Sequence, residues 1–433
     1  TDSGTITVGG NLAATTDANN GVINMGTLAV DGTVALTTNG AGNATIDNGT
    51  TALNIAASTV GANLTLTSGA AAGITDSGTV TVGGNLTATT DDNDGVINMG
   101  TLDVGGTVTL APDGTGAVTI VNAEGLNLAA SSLGGILSAT ATTGNITDSG
   151  NLAVTSTSSF TTSASNADIT LNNTNAFTGA VTLSTTGSSG NALIDNGTTA
   201  LNIAASTVGG NLILASTTGI SLGGNLTTAG TTTIIADSDS SGPGNFNQTA
   251  GAIATGGNAL VIIANDITLS GTTNTGTGSA TITVSDGGRI GLGDSACGGS
   301  CGMTISGAEL QTITAGDLNI GYSGLLAGAQ RTTGNIFIDN VRLANTQNVS
   351  GTLTLTSSSD ISFQRKKSTF RTLTLTADRD ISLERNVETT VGDFDATADA
   401  DNNNMGIFTL DAGVTLTSAG DVIIDADKIE KFG

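Results

Sequence analysis

The sequence predicts an all-β fold: a parallel, right-handed β-helix, or β-solenoid, with coils of about 20 residues. Three observations predict it. Blocks of sequence return at fixed offsets, and within them aliphatic residues alternate with Thr, Ser and Asn. In addition, only two prolines interrupt a chain of 433 residues that holds 63 glycines.

The repeats come in two sizes. Thr1-Asp2-Ser3-Gly4-Thr5-Ile6-Thr7-Val8-Gly9-Gly10-Asn11-Leu12 returns, with one change, at Thr75 to Leu86, an offset of 74. Gly21-Val22-Ile23-Asn24-Met25-Gly26-Thr27-Leu28 returns at Gly95 to Leu102 with the same offset. Ile46 to Ser58 returns at Ile194 to Ser206, an offset of 148, and a diverged copy, Leu126 to Ser131, lies between them. A shorter period emerges further on. Thr352-Leu353-Thr354-Leu355-Thr356 and Asp360-Ile361-Ser362-Phe363 recur 20 residues later, at Thr372 to Thr376 and Asp380 to Leu383.

Each short unit reads as a strand, a polar or Gly-containing corner and a second strand. Period-2 alternation puts Leu, Val and Ile on one face and Thr, Ser and Asn on the other. A unit of this size cannot bury its apolar face alone, whereas stacked units form a continuous aliphatic column and pair their backbones along the axis. Glycine and Asn-Gly corners supply positive φ, and Pro112 and Pro243 are the only places where a ladder donor is lost. Tandem β-sandwiches or an antiparallel barrel are the alternatives, but sandwich modules run to about 100 residues and are anchored by aromatics. Nine Phe, one Tyr and no Trp fit them poorly. Stacked at about 4.8 Å per coil, the chain would make a rod on the order of 100 Å long.

Charge divides this solenoid in two. Residues 1–288 carry the 74-residue superrepeats, 18 acidic residues and no Lys or Arg; residues 289–433 continue the solenoid with 18 acidic and 11 basic residues. Unlike ends suit head-to-tail or ordered lateral contacts between copies, and drift between repeat types is the plainer account.

Composition also excludes functions. A net charge of −25 repels phosphate backbones and few aromatics are present to stack bases, so no nucleic-acid partner is expected. Without histidine, no imidazole base or metal ligand exists. No apolar run reaches membrane-spanning length, so no membrane insertion is expected within this segment. An enzyme is not expected either. Some parallel β-helices degrade polysaccharides, but here the carboxylates are scattered, the sugar-stacking aromatics are few, and residues 1–288 hold no cation beside an acid. Thr1 opens the chain without an initiator methionine or signal peptide, so it reads as a segment of a longer polypeptide.

Three sets of residues are candidate sites. The corners Thr16 to Gly21 and Thr90 to Gly95 are equivalent in the superrepeat, and Asp399 to Asn404 resembles them. Their oxygens, from Asp17, Asn19, Asp91, Asp92, Asp94, Asp399 and Asp401, are the type Ca²⁺ takes, although none has a distal bidentate Glu. Asx turns that close a corner need the same residues. No cofactor is required, and Ca²⁺ is the one candidate. Cys297-Gly298-Gly299-Ser300-Cys301 is a small loop able to close a disulfide in an oxidising compartment, and it lacks the further ligands a zinc site needs. Arg365-Lys366-Lys367 is the one basic run; the 20-residue offset stacks Arg365 near Arg385, with Glu384 and Glu388 at hand to compensate. Asn-Xaa-Ser/Thr triplets at Asn43, Asn63, Asn85 and Asn348 are expected by chance in so Asn- and Thr-rich a chain.

The Thr-rich strand repeats, with Arg289-Ile290-Gly291-Leu292-Gly293, Met303-Thr304-Ile305-Ser306, Gly334-Asn335-Ile336-Phe337-Ile338-Asp339 and Leu416 to Val422, resemble large bacterial surface exoproteins. The resemblance is to the filamentous-haemagglutinin-like class and the related giant β-strand-repeat adhesins. It implies secretion across the outer membrane, a right-handed β-helical shaft and a place at the bacterial cell surface or outside it. The implied roles are a structural segment of a filament, sheath, surface layer or biofilm matrix, built by homotypic assembly, or an adhesin stalk that presents a separate tip to cell surfaces or glycans.

Overall fold

The computed structural model describes residues 1–17, 19–294, 297 and 300–432. Where Leu alternates with Thr, as in Leu64–Ser68, the chain forms a strand with Leu64 and Leu66 buried and Thr65 and Thr67 half-exposed. The next coil lays Leu86–Thr90 on it in parallel, Leu64 opposite Leu86 and Leu66 opposite Ala88. The coil after that adds Thr107–Ala111, Val108 opposite Leu86 and Leu110 opposite Ala88. Like side chains therefore stack on like, which gives the aliphatic column that a single coil cannot form. Parallel pairing of this kind, with coils about 21 residues apart, makes the protein an all-β solenoid with 49% strand and 2% helix.

The chain divides into two compact units, Thr1–Gly210 and Asn211–Gly433. This boundary differs from the charge boundary after residue 288.

In the first unit the 74-residue superrepeat spans about three and a half coils, because partners lie about 21 residues apart. Equivalent strands therefore alternate between sheets. Leu12–Thr15 pairs with Thr33–Thr37 in one sheet, while its copy Leu86–Thr90 pairs with Leu64–Ser68 in another. Ile23–Met25 pairs with Ala44–Asp47, while its copy within Ile97–Val104 pairs with Ile74–Asp76 in the other sheet. Two superrepeats make seven coils and restore the register: Ala44–Asp47 and Ala192–Asp195 share one sheet, and Leu53–Ile55 and Leu201–Ile203 share the other. One sequence thus serves two different faces. It can do so because each face asks the same of it: apolar inward, Thr, Ser or Asn outward.

The second unit keeps the coils but interrupts them. Ser306 caps the helix Gly307–Thr312: Glu309 donates its N–H to the Ser306 hydroxyl at 3.2 Å, and Ser306 donates its N–H to the Glu309 carboxylate at 2.8 Å. Ser323–Leu326 and Ala329–Thr332 form an antiparallel hairpin whose turn, Ala327 and Gly328, takes φ of 50° and 80°. Neither insertion follows from the repeat pattern. Beyond them the 20-residue register holds as expected, with Leu353 opposite Leu373 and Ile361 opposite Ile381.

Candidate functional site

Polar side chains in the first unit join one coil to the next. Asp2 accepts the N–H groups of Gly26 and Thr27 at 3.1 and 2.9 Å, and Asp76 accepts those of Gly100 and Thr101 at 2.9 and 2.7 Å. A third Thr-Asp-Ser-Gly, at residues 147–150, places Asp148 to accept from Asn172 and Asn173 at 3.0 and 3.2 Å. Each carboxylate holds two amides at a bend of the coil, those of Gly100 and Thr101 lying at the register shift within Ile97–Val104. The Thr27 hydroxyl and the Gly26 N–H also hold the Asp2 carboxyl below the ordinary carboxylate range.

Asn48, Asn122 and Asn196, spaced by 74, are fully buried and work in the same way. Asn122 accepts the Val104 N–H at 2.9 Å and donates to the Val104 and Gly125 carbonyls at 3.1 and 2.7 Å. Asn48 bonds Val30 and Ala52, and Asn196 bonds Phe177 and Thr199, with matching geometry. The carboxamide copies a peptide group and fills a missing rung between coils. Sequence reasoning missed these residues, yet the 148-residue identity that contains Asn48 and Asn196 marked them. Asn43, Asn63 and Asn85 form an outer ladder, each carboxamide oxygen accepting a backbone N–H one coil on at 2.9 to 3.0 Å. Chance triplets they are in sequence, but their carboxamides are used.

The Asp-rich corners do not converge. Those at Asp17 and Asn19 and at Asp91 to Asp94 follow equivalent strands in different sheets, half a coil apart in register. At the first, Asn20 (φ 58°) accepts the Ala41 N–H at 2.7 Å, and the Asp17 carbonyl accepts from the Asn39 side chain at 3.1 Å. At the second, Asn93 and Asp94 take φ of 57° and 52°. Asp92 accepts the Asn93 N–H, and Asp94 accepts the Thr115 N–H at 2.6 Å while donating its own N–H to Asp113 at 3.2 Å. Asp91, Asp92, Asp94 and Asp113 thus lie on two adjacent coils. At the third, Asp399 (φ 71°) accepts the N–H groups of Asn403 and Asn404, and Asp401 accepts from the Asn403 side chain. Asp399 also lines a cleft of about 270 Å³ with Asp425 and Asp427. Among the described residues, no group of three or more His, Cys, Asp or Glu is disposed to hold a metal ion.

Cys297 and Cys301 are joined as a disulfide with Cα atoms 5.5 Å apart; Gly298 and Gly299 between them lie outside the described residues. Gly291 gives the bridge its room, since a Cβ there would meet the Cys297 sulfur at 2.6 Å.

The basic run forms the wall of a cleft of about 410 Å³, lined by Arg365, Lys366, Lys367, Arg385 and Asp411 among others. Arg385 donates to the carbonyls of Arg365, at 2.9 Å, and of Glu384, which orients the guanidinium without neutralising it. Arg365 takes a left-handed φ of 61°. Lys367 pairs with Glu388, and Lys366 and Arg342 approach Asp294 at 3.7 and 3.9 Å. The Asn340 side chain and these two cations hold the Asp294 carboxyl below its ordinary range.

A fourth cluster was not foreseen. Asp237 is fully buried, accepts from the Ser285 hydroxyl at 2.6 Å and shares the Ser241 N–H with Asp239. Burial pushes the Asp237 carboxyl up, whereas the Ser241 hydroxyl holds Asp239 down. Arg331, from the hairpin, donates to the Ser285 carbonyl at 3.0 Å and to the Ser240 hydroxyl. The cluster pins hairpin and corner to the coils; its only signal in sequence was an Asp-Ser run too common in this chain to stand out.

Comparison with known proteins identifies one family model, described as repeats of unknown function (DUF5649), which matches residues 115–184. No curated protein and no solved structure matches significantly. The matched stretch includes Asn122 and Asp148, so it spans two of the links that join coil to coil. Among the described residues no helix is long and apolar enough to cross a membrane.

Proposed function

We propose that this chain is a structural segment of a bacterial extracellular or cell-surface protein, a stiff rod that builds a filament, sheath, surface layer or biofilm matrix. The observation that carries this reading is where the polar side chains are spent. Asp2, Asp76, Asp148, Asn48, Asn122 and Asn196 all bond backbone across coils rather than converge on a pocket. Such links resist bending and local opening, which a load-carrying or space-holding element needs. The role is mechanical and calls for no catalytic residue or cofactor. The Cys297–Cys301 disulfide supports an oxidising location outside the cytoplasm.

Electron microscopy of the native material, with and without a calcium chelator, tests the reading. Ordered filaments or sheets with a subunit repeat on the order of 100 Å are expected, from about 4.8 Å per coil. Loss of that order on chelation would assign the Asp-rich corners to Ca²⁺. Isolated thin rods, unchanged by chelator, would overturn assembly and favour an adhesin stalk carrying a separate tip.

A further inference from the structure

We infer that the cleft around Arg365 and Arg385 docks the carboxylate corner formed by Asp91, Asp92, Asp94 and Asp113 of a second copy of this chain. The inference rests on the assembly reading and names its contact.

The two surfaces match in charge and spacing. Arg365, Lys366 and Lys367 lie on one coil and Arg385 on the next, as the pairing of Ile361 with Ile381 fixes. Asp91, Asp92 and Asp94 lie on one coil and Asp113 on the next, as the pairing of Leu86 with Val108 fixes. Both sets therefore repeat at the strand spacing of about 4.8 Å, three charges beside one. The acidic corner is unfavourable by itself, since like charges one coil apart repel and residues 1–288 hold no cation, whereas the cleft sets its cations beside Glu384 and Asp411. Apposed, the cleft's cations offset the acidic corner, and complementary potentials of this kind set register and partner choice.

The partner follows from the charge distribution. All 11 cations lie at or after Arg289, so a second copy offers a cation-free surface with 14 acidic residues within Thr1–Gly210. The pairs already made at the cleft edge, Lys367 with Glu388 and Lys366 with Asp294, are exposed and exchange at little cost. Contact between unlike surfaces is heterologous, and a heterologous contact that does not close builds a filament.

Sedimentation of the full chain tests this at ~20 mM and ~500 mM salt, below and above the range where exposed charges are screened. Wild type is expected to associate in low salt and dissociate in high salt. The variant R365G/K366S relieves the strained φ and keeps the fold by circular dichroism, and it should associate at least ~10-fold more weakly, about 1.4 kcal/mol. R365E/K366E and D91K/D92K should each fail alone and associate when mixed. If wild type associates and the cleft variants do so equally, the assembly reading stands and this interface is wrong. If wild type stays monomeric at every salt concentration, the assembly reading fails with it. If a monomeric wild type instead retains a uronate-rich polysaccharide that R365G/K366S releases, the occupant is an anionic glycan and the proposal is overturned.

Discussion

The two compact units share one way of joining coils, and the second adds to it. Thr1–Gly210 joins its coils with repeated, neutral or anionic side chains that bond backbone: Asp2 and its copies, Asn48 and its copies, and the Asn43–Asn63–Asn85 ladder. Asn211–Gly433 keeps links of this kind, with Asn225 accepting from Ala252, Asn386 from Thr415 and Asp393 from Asp421, and adds parts without a counterpart in the repeats: a capped helix, a hairpin anchored by Arg331 and a disulfide. The difference teaches that a solenoid coil has few demands and many solutions. Repetition suits a spacer whose faces are interchangeable. Unique insertions and cations suit a region that is recognised.

The largest effect is expected where an aromatic pair fills the second unit's core. Phe363 is fully buried and meets Phe370 edge to face, with ring centroids 6.2 Å apart. Phe363→Ala should cost about 4 kcal/mol, read as a lower denaturant midpoint and lost amide protection in the second unit. The equivalent assault on the repetitive unit is Asn122→Leu. It strands the Val104 N–H and C=O in the interior and should cost about 3 kcal/mol, since an orphaned buried group costs roughly 1–3. Exchange of the Val104 amide should then accelerate about 100-fold. An exchange rate within twofold of wild type would show that the Asn rungs are dispensable.

Legibility in the sequence follows the same divide. The coil, the inward Leu and outward Thr, and the 20-residue stacking of Arg365 on Arg385 were all readable, because period-2 patterning and strict offsets translate directly into register. Asn122 was readable only in hindsight: its type says turn, while it is as fully buried as Asn48 and Asn196, in whichever sheet the half-coil shift places it. The helix at Gly307–Thr312 had its Ser306–Glu309 capping signature in the sequence, but six residues among strand repeats gave no helical period to attach it to. Asp237 and Arg331 were illegible, since 94 positions separate them and only the fold brings them to Ser285. The Asp-rich corners were located as turns, and their positive φ values at Asn20, Asn93 and Asp399 fit the Asx-turn half of that reading.

Acidity separates the units more gently. Asp237 and Asp266 are pushed up by burial, so their folded forms favour the proton. A raised carboxyl opposes folding while ionised, and that opposition is relieved as pH falls through its folded value towards the ordinary one near 4. Asp2 is held down, so its contribution is full above the ordinary value and is lost only as pH falls through the lower folded one. Between neutrality and about pH 4.5, protection around Ser285 should therefore rise after correction for intrinsic exchange. Asp237→Asn should flatten that rise, and an unchanged slope would place the effect on another group.

The smallest effect is expected where the surface looks most tightly tied. Lys367 and Glu388 form an ion pair, but their side chains are 52% and 32% exposed. Lys367→Ala should lower stability by less than about 1 kcal/mol, and by nothing measurable in high salt. Thermal melts of both proteins at two ionic strengths decide it. A loss above about 2 kcal/mol would mean that this ion pair is structural, as the Asn rungs are in the first unit. A loss below 1 leaves Lys367 without a role in holding coils together, in contrast to Arg331, which anchors the hairpin. The Lys367 charge is then free to act outward, on another molecule, as a cation of the cleft wall.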